Sequence, residues 1–455
     1  MRSSALVLAV LARRRVLRST NRWTPERLAA YQDRAAAELR RWAVRRSAFY
    51  RRFHAGLLDR PLVELPVLTK AVLMEHFDEI STRPDVRLAD LERHLAGPGA
   101  AELFGGRWFV CATAGTTGRR GVFVWDRREW VEVLASYNRA FDWAGVAAGP
   151  TRRVPMAVVS STNPSHQSAR VGASVHSRWL PTLRIDAGDD IADIVARLNA
   201  AQPQVLVGYA SMLRLLAEEQ LTERLRIAPR FVFSASEVLT DATRALAAQA
   251  WTARPFNVYG ATETSGLAAD CDRHAGMHLF EDLVITEIVD EHHRPVPPGT
   301  FGAKVLVTVL FSRTLPLIRY EMSDSVRRAT DQRCGCGKPY RLLDAVQGRE
   351  QDALRFPGLD GAAAPVVQPI VFHHVMDDIA AAGWQIAQRD DGHLDVLLAH
   401  PREVDTEALT TRLRSALTAR GAVAPAVRIQ TVNAIPRTPL GKAPLIVGPT
   451  TSIPP

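Results

Sequence analysis

Lysine is almost missing from this chain: against an abundance of arginine it holds only Lys70, Lys304, Lys338 and Lys442. Arginine serves most surface roles, so a lysine kept inside a motif calls for a chemical explanation. Cysteine is scarce as well, at four in 455 residues, which excludes a disulfide framework and fits a reducing compartment. No stretch approaches the roughly 20 apolar residues that a membrane-spanning helix needs. The short apolar run Ala5 to Ala12 precedes its arginines instead of following them, so the order of an export signal fails. A cytoplasmic protein without a membrane partner is expected. Long cationic runs with interleaved aromatics are missing too. The net charge of +9 is spread over pairs such as Arg45-Arg46, Arg119-Arg120, Arg152-Arg153 and Arg327-Arg328, which argues against a nucleic-acid groove. The Walker pattern Gly-x-x-x-x-Gly-Lys-Ser/Thr is absent, because the Gly-Lys pairs continue as Gly337-Lys338-Pro339 and Gly441-Lys442-Ala443.

The chain is too long for one compact core, so at least two domains are expected. Thr24-Pro25-Glu26 reads as a helix start, with Leu28, Tyr31, Ala35, Leu39 and Trp42 forming one apolar face. The runs Trp108 to Ala112 and Val122 to Trp125 flank a polar glycine-rich loop and read as strand, loop, strand. Gln204 to Gly208 and Arg230 to Ser234 are short apolar runs, each followed by a helical stretch, and helical Ile191 to Ala201 precedes the first. Strands alternating with helices imply βαβ units, and hence an α/β fold with mainly parallel sheets. From Gly348 onward the patterns start afresh. The expected division is 1–347 for a large N-terminal domain and 348–455 for a small, mobile α+β domain.

Three segments carry chemistry. In Thr113-Ala-Gly-Thr-Thr-Gly-Arg-Arg-Gly121, glycines let backbone amides approach an anion while hydroxyls and cations neutralise phosphate charge. A Gly/Thr turn in a hairpin uses the same residues, so this segment taken alone leaves both readings open. In Asn257-Val-Tyr-Gly-Ala-Thr-Glu263, Tyr259 and Gly260 offer a ring and a close approach for a base, Thr262 a donor for phosphate, and Glu263 an anion for Mg²⁺. In Leu317-Ile-Arg-Tyr-Glu-Met-Ser-Asp324, an Asp after a strand suits both ribose hydroxyls.

Taken in order with Gly348-Arg-Glu-Gln-Asp352 and Pro436-Arg-Thr-Pro-Leu-Gly-Lys442, these segments resemble the adenylate-forming superfamily, in its phenylacetate-CoA ligase-like branch. Ser47 to Phe53 and Leu65-Pro-Val-Leu-Thr-Lys70 resemble that branch as well. The resemblance implies an ATP-dependent ligase that makes an acyl-AMP from a small-molecule carboxylic acid, an aromatic one by family, and transfers the acyl group to CoA. It implies that Thr113, Gly115, Thr116, Thr117 and Gly118 hold the ATP phosphates, that Thr262 and Glu263 handle phosphate and Mg²⁺, and that Asp324 with Arg349 holds the ribose. It makes Lys442 the catalytic lysine, Asp352 the hinge, and Ser234, Ala235, Ser236 and Ala261 part of the acid pocket. Positive charge where two anions meet agrees with the physics of such a step. The usual lysine and glycine-rich turn after the hinge are replaced by Leu354 to Gly361, which keeps an amine or hydroxyl open as the acceptor. The oligomeric state stays open too, a homodimer included.

Cys271, His278, Cys334 and Cys336 offer three thiolates and an imidazole, a set suited to a structural, tetrahedral Zn²⁺. His274 is the alternative fourth ligand. The pattern resembles the zinc site of some members of that branch. Cys111, on the strand before the phosphate loop, reads as core packing.

Overall fold

The computed structural model describes residues 3–113, 120–174, 177–331, 334–349, 353–361, 363–367, 369–376, 379, 381, 383–401, 403–433, 435–436 and 445–449. The helix Pro25–Arg46 starts where the sequence marks it, with Pro25 in the first turn and the Thr24 hydroxyl accepting from the Arg27 amide at 3.3 Å. Its buried stripe runs through Leu28, Leu39 and Ala43. The preceding helix, Ser3–Thr20, turns its arginines onto the helix Arg127–Trp143. Arg13 pairs with Glu132 at 2.7 Å, and Arg14 and Arg18 both hold Asp142. At its end the Thr20 hydroxyl lies 2.7 Å from both Asp282 and the Tyr340 phenol. Asp282 also takes a two-pronged bond from buried Arg139, 2.6 Å on each prong. Such a pair tolerates burial when close, well-directed hydrogen bonds offset the cost of leaving water.

The central sheet has nine strands among the described residues. In spatial order they are Asp324–Arg328, Leu342–Arg349, Met277–Leu279, Ser265–Asp270, Phe256–Ala261, Phe231–Ala235, Val205–Gly208, Met156–Ser160 and Thr182–Asp186. From Phe256–Ala261 to Thr182–Asp186 all pairings are parallel, as expected from the strand and helix alternation. The other half is antiparallel. The helices Ile191–Ala201, Ala210–Leu221 and Asp241–Trp251 supply the crossovers, and Leu198, Leu213 and Leu216 pack on Leu206 and Val232 of the sheet. In a parallel sheet ligands bind beyond the carboxyl ends of the strands. Ser160, Gly208, Ala235 and Ala261 end their strands on that side.

A separate four-stranded sheet runs in the order Val427–Val432, Leu394–Ala399, Gly383–Gln388, Ile446–Val447, beside the helices Pro369–Met376 and Thr406–Thr418. It has its own core, built from residues such as Leu354, Phe356, Phe372, Ile386, Val396, Leu413 and Ile446. Arg214 reaches it from the large sheet's helix layer, donating to the Ile379 carbonyl at 2.8 Å.

Candidate active site

The glycine-rich loop stands on two fully buried strands, Phe109–Ala112 and Val122–Trp125, paired antiparallel from Phe109↔Trp125 to Ala112↔Val122. Thr113 and Gly121 close its neck. The Thr113 amide donates to the Gly121 carbonyl at 2.9 Å, and the Gly121 amide donates to the Thr113 hydroxyl at 2.9 Å. Thr113 is therefore a clamp at the loop's base. Gly115, Thr116, Thr117 and Gly118 lie outside the described residues. A Cβ on Gly121 would come 2.9 Å from the Phe123 ring, 3.3 Å from the Thr113 hydroxyl and 3.4 Å from Cε of Lys70. Lys70, one of the rare lysines, thus reaches the neck of the loop. Its own segment is pinned next door, since the Leu68 amide donates to the Arg319 carbonyl at 3.0 Å and the Glu321 amide to the Leu68 carbonyl at 2.9 Å.

Tyr259, Gly260 and Ala261 end the strand Phe256–Ala261, and Thr262 and Glu263 lie in the tight turn that leads to Ser265–Asp270. The Thr264 amide closes this turn on the Ala261 carbonyl at 3.3 Å. Gly260 sits at the register shift, where a Cβ would lie 2.7 Å from the Ser265 carbonyl oxygen. Only glycine fits so close a backbone approach. Ser234 and Ala235 lie on the neighbouring strand, opposite Asn257 and Val258, and Ser236 follows with a left-handed φ of +68°. The pocket segment and the Tyr259 segment are thus side by side.

Asp324 opens its strand directly opposite Arg349, so the two residues named for the ribose share one rung of the ladder. The Arg349 side chain, like Asp352 and Lys442, lies outside what is described. One connection has no sequence signal of its own. The Ala112 amide, at the foot of the glycine-rich loop, donates to the Ser165 carbonyl at 2.9 Å. Two residues on, the Gln167 side-chain amide donates to the Thr262 carbonyl at 3.1 Å and accepts from the Tyr137 phenol at 2.8 Å.

Cys271, His278, Cys334 and Cys336 converge so that their ligand atoms all lie within 4.8 Å of one another. Nε2 of His278 is 3.2 Å from the Cys336 sulfur, and the Cys271 and Cys334 sulfurs are 3.7 Å apart. Nδ1 of His278 faces the Tyr340 carbonyl at 3.2 Å. That carbonyl only accepts, so Nδ1 carries the proton and Nε2 turns its lone pair to the thiols. Burial lowers the His278 pKa to about 4, leaving a neutral imidazole, and raises Cys271 to about 12. At Cys336 burial works the other way from the Lys338 amide and the neighbouring thiols, and the net pKa falls below the ordinary thiol value. His274, the alternative ligand, lies instead 3.6 Å from Asp270 and against the Phe256 ring. Cys111 is wholly buried in the core, its thiol pushed up to about 12.

No family model matches the chain. It is 22% identical over 389 residues to Protein CapK of Staphylococcus aureus, covering 83% of this chain and 78% of that one. It is 27% identical over 225 residues to the phenylacetate-coenzyme A ligase of Thermus thermophilus, covering 46% of this chain and 49% of the ligase. The matched region thus spans about half of that relative. The solved structure of 2-hydroxyisobutyryl-CoA ligase in its postadenylation state superposes with a TM-score of 0.72 at 22% identity, over 95% of this chain and 92% of that one. The fold is that of the adenylate-forming ligases. Phenylacetate-coenzyme A ligases are among the sequence relatives this chain is similar to.

Proposed function

We propose that the protein is an AMP-forming acid ligase. A carboxylate oxygen attacks the α-phosphorus of ATP and pyrophosphate leaves; the thiol of CoA then attacks the acyl carbon, and AMP leaves. The observation that carries this reading is the convergence of the phosphate-loop neck and the Tyr259 to Glu263 segment on one short segment, Ser165 to Gln167. In this reading residues 114–119 receive the phosphates, with Lys70 beside them. Glu263 and Thr262 hold Mg²⁺, which offsets phosphate charge. Asp324 and Arg349 hold the ribose, and the strand ends at Ser234 to Ser236 and Ala261 border the acid. Lys442 brings positive charge to the meeting point of carboxylate and α-phosphate. Residues 348–455 form a unit that turns about Asp352 between the two half-reactions. The chemistry of the Cys271, His278, Cys334 and Cys336 donors suits a structural Zn²⁺, with all four positions taken by protein. The family favours an aromatic acid. No helix among the described residues is long and apolar enough to cross a membrane, which accords with a cytoplasmic enzyme.

Pyrophosphate release measured over aryl and alkyl acids, with CoA and amine acceptors offered in parallel, tests this reading. Acid-dependent release with acyl-CoA as the product is expected. The altered segment Leu354 to Gly361 is the reason to include amines. Absence of release with every acid would overturn the ligase assignment.

A further inference from the structure

The turn before the helix Gln167–Ser174 is built to hold one side chain still. The Ser165 amide donates to the Asn163 side chain at 2.9 Å, the His166 amide to the Asn163 carbonyl at 2.9 Å, and Nδ1 of His166 lies 2.8 Å from the Ser161 hydroxyl. Ser161 is held in turn, its amide donating to the Tyr209 phenol at 2.9 Å. Gln167, which follows, is only 4% exposed. Its amide orientation is dictated by its neighbours. The Thr262 carbonyl can only accept, so Nε2 must face it, and Oε1 is left for the Tyr137 hydroxyl. Tyr137 reaches this point from the helix Arg127–Trp143, whose neighbouring Ser136 hydroxyl accepts from the Gly266 amide at 3.1 Å. Both ends of the relay are therefore fixed to the hairpin that carries Thr262 and Glu263. A carbonyl held on one side fixes the plane of the following peptide, and with it the directions in which the two side chains leave the turn.

We propose that Gln167, oriented by Tyr137, is a positioning residue of adenylation: it holds the Thr262 carbonyl so that Thr262 and Glu263 face the nucleotide and its Mg²⁺. This rests on the ligase reading. Gln167 touches neither substrate nor metal; it acts through the turn.

The test compares wild type with Gln167→Leu, Gln167→Glu and Tyr137→Phe below their unfolding temperatures, with pyrophosphate release followed across a Mg²⁺ titration. Gln167→Leu is expected to lower kcat by about 10- to 100-fold, the order seen when a preorganised polar group is displaced. The KM for the acid should stay within about twofold and the half-saturating Mg²⁺ concentration should rise several-fold, because a loosened pair of metal contacts weakens binding without touching the acid. Excess Mg²⁺ should restore part of the rate. Gln167→Glu keeps the bond from Tyr137 and loses the one to Thr262, so it should behave like Gln167→Leu. Tyr137→Phe should show the same Mg²⁺ shift to a smaller degree. A role in folding alone would lower the melting temperature and leave the Mg²⁺ dependence unchanged; that outcome overturns the proposal. If Gln167→Leu does not fold, wild-type Mg²⁺ dependence in the other two variants overturns it equally. Should the wild type release no pyrophosphate, the ligase reading falls, and stabilisation by MgATP in a melting assay still decides for Gln167: equal stabilisation of wild type and Gln167→Glu overturns the positioning role.

Discussion

His54 shows what a single buried side chain can cost. It is 1% exposed, its ring packs on Tyr50 and Phe53, and neither ring nitrogen has a hydrogen-bond partner among the described residues. Burial, aided by the Arg40 charge, lowers its pKa to about 4. The unfolded chain, with an ordinary imidazole near 6.5, binds the proton more readily than the folded one. Stability is therefore intact above about pH 6.5 and is lost as the pH falls toward 4, by about 3 kcal/mol in all from this group. His54→Phe keeps the ring contacts and removes the titration, so urea unfolding between pH 7 and pH 4.5 should show a shallower loss than in wild type. The same slope in both proteins would remove the effect. Lys442 belongs to the residue scale as well, although it lies outside the described residues. Lys442→Ala should leave folding intact and lower adenylate formation by about 10²-fold or more, and arginine should rescue poorly, because a planar fork does not replace a compact ammonium. An unimpaired pyrophosphate release rate would withdraw its catalytic role.

At the scale of elements, the hairpin from Phe256 to Asp270 depends on an approach between two backbones. Gly260→Ala would press a methyl to 2.7 Å from the Ser265 oxygen, and neither backbone can swing aside as a side chain tip would. A loss of about 1–3 kcal/mol in stability is expected, together with a fall in pyrophosphate release larger than unfolding explains; wild-type release in this variant would show that the hairpin tolerates a shift. Much of this level was legible in the sequence. Thr24-Pro25 marked the helix start because a cap is a local device, and the flanks of the glycine-rich loop stood out because both strands are apolar throughout. The antiparallel half of the main sheet was not legible: Met277–Leu279 is three residues long, too short for a period-two pattern, and one of its two partners, Leu342–Arg349, lies far along the chain. Gln167 was equally silent. A glutamine at a helix start carries no pattern, and its meaning comes from Thr262 and Tyr137, which only the fold brings near. The converse holds at Cys271, Cys334 and Cys336, which stood out because cysteine is so rare, while the sequence left His278 and His274 both open and only the fold turns Nε2 of His278 toward the Cys336 sulfur.

For the whole molecule, that cluster ties the Cys271 turn and the strand Met277–Leu279 to the segment at Cys334 and Cys336, all at the antiparallel end of the main sheet. Freshly isolated protein is expected to contain about one Zn²⁺ per chain. Replacing Cys334 and Cys336 together by serine should abolish it and lower the melting temperature, since binding energy at such a site is also folding energy. Elemental analysis finding no zinc in protein never exposed to chelator would dismiss the site. The helix Ser3–Thr20 has a different consequence, one of timing. Its arginines close on Glu132 and Asp142, and its last hydroxyl closes on Asp282 and Tyr340. On the ribosome, 320 residues separate Thr20 from Tyr340, and at about 5–20 residues per second the helix waits roughly 15–60 s for its last partner. Through the first part of that interval, until the helix Arg127–Trp143 has emerged, Leu6, Val10 and Leu17, buried in the finished protein, lack the helix they lie against, so the nascent chain offers a chaperone an apolar stripe that the folded protein covers.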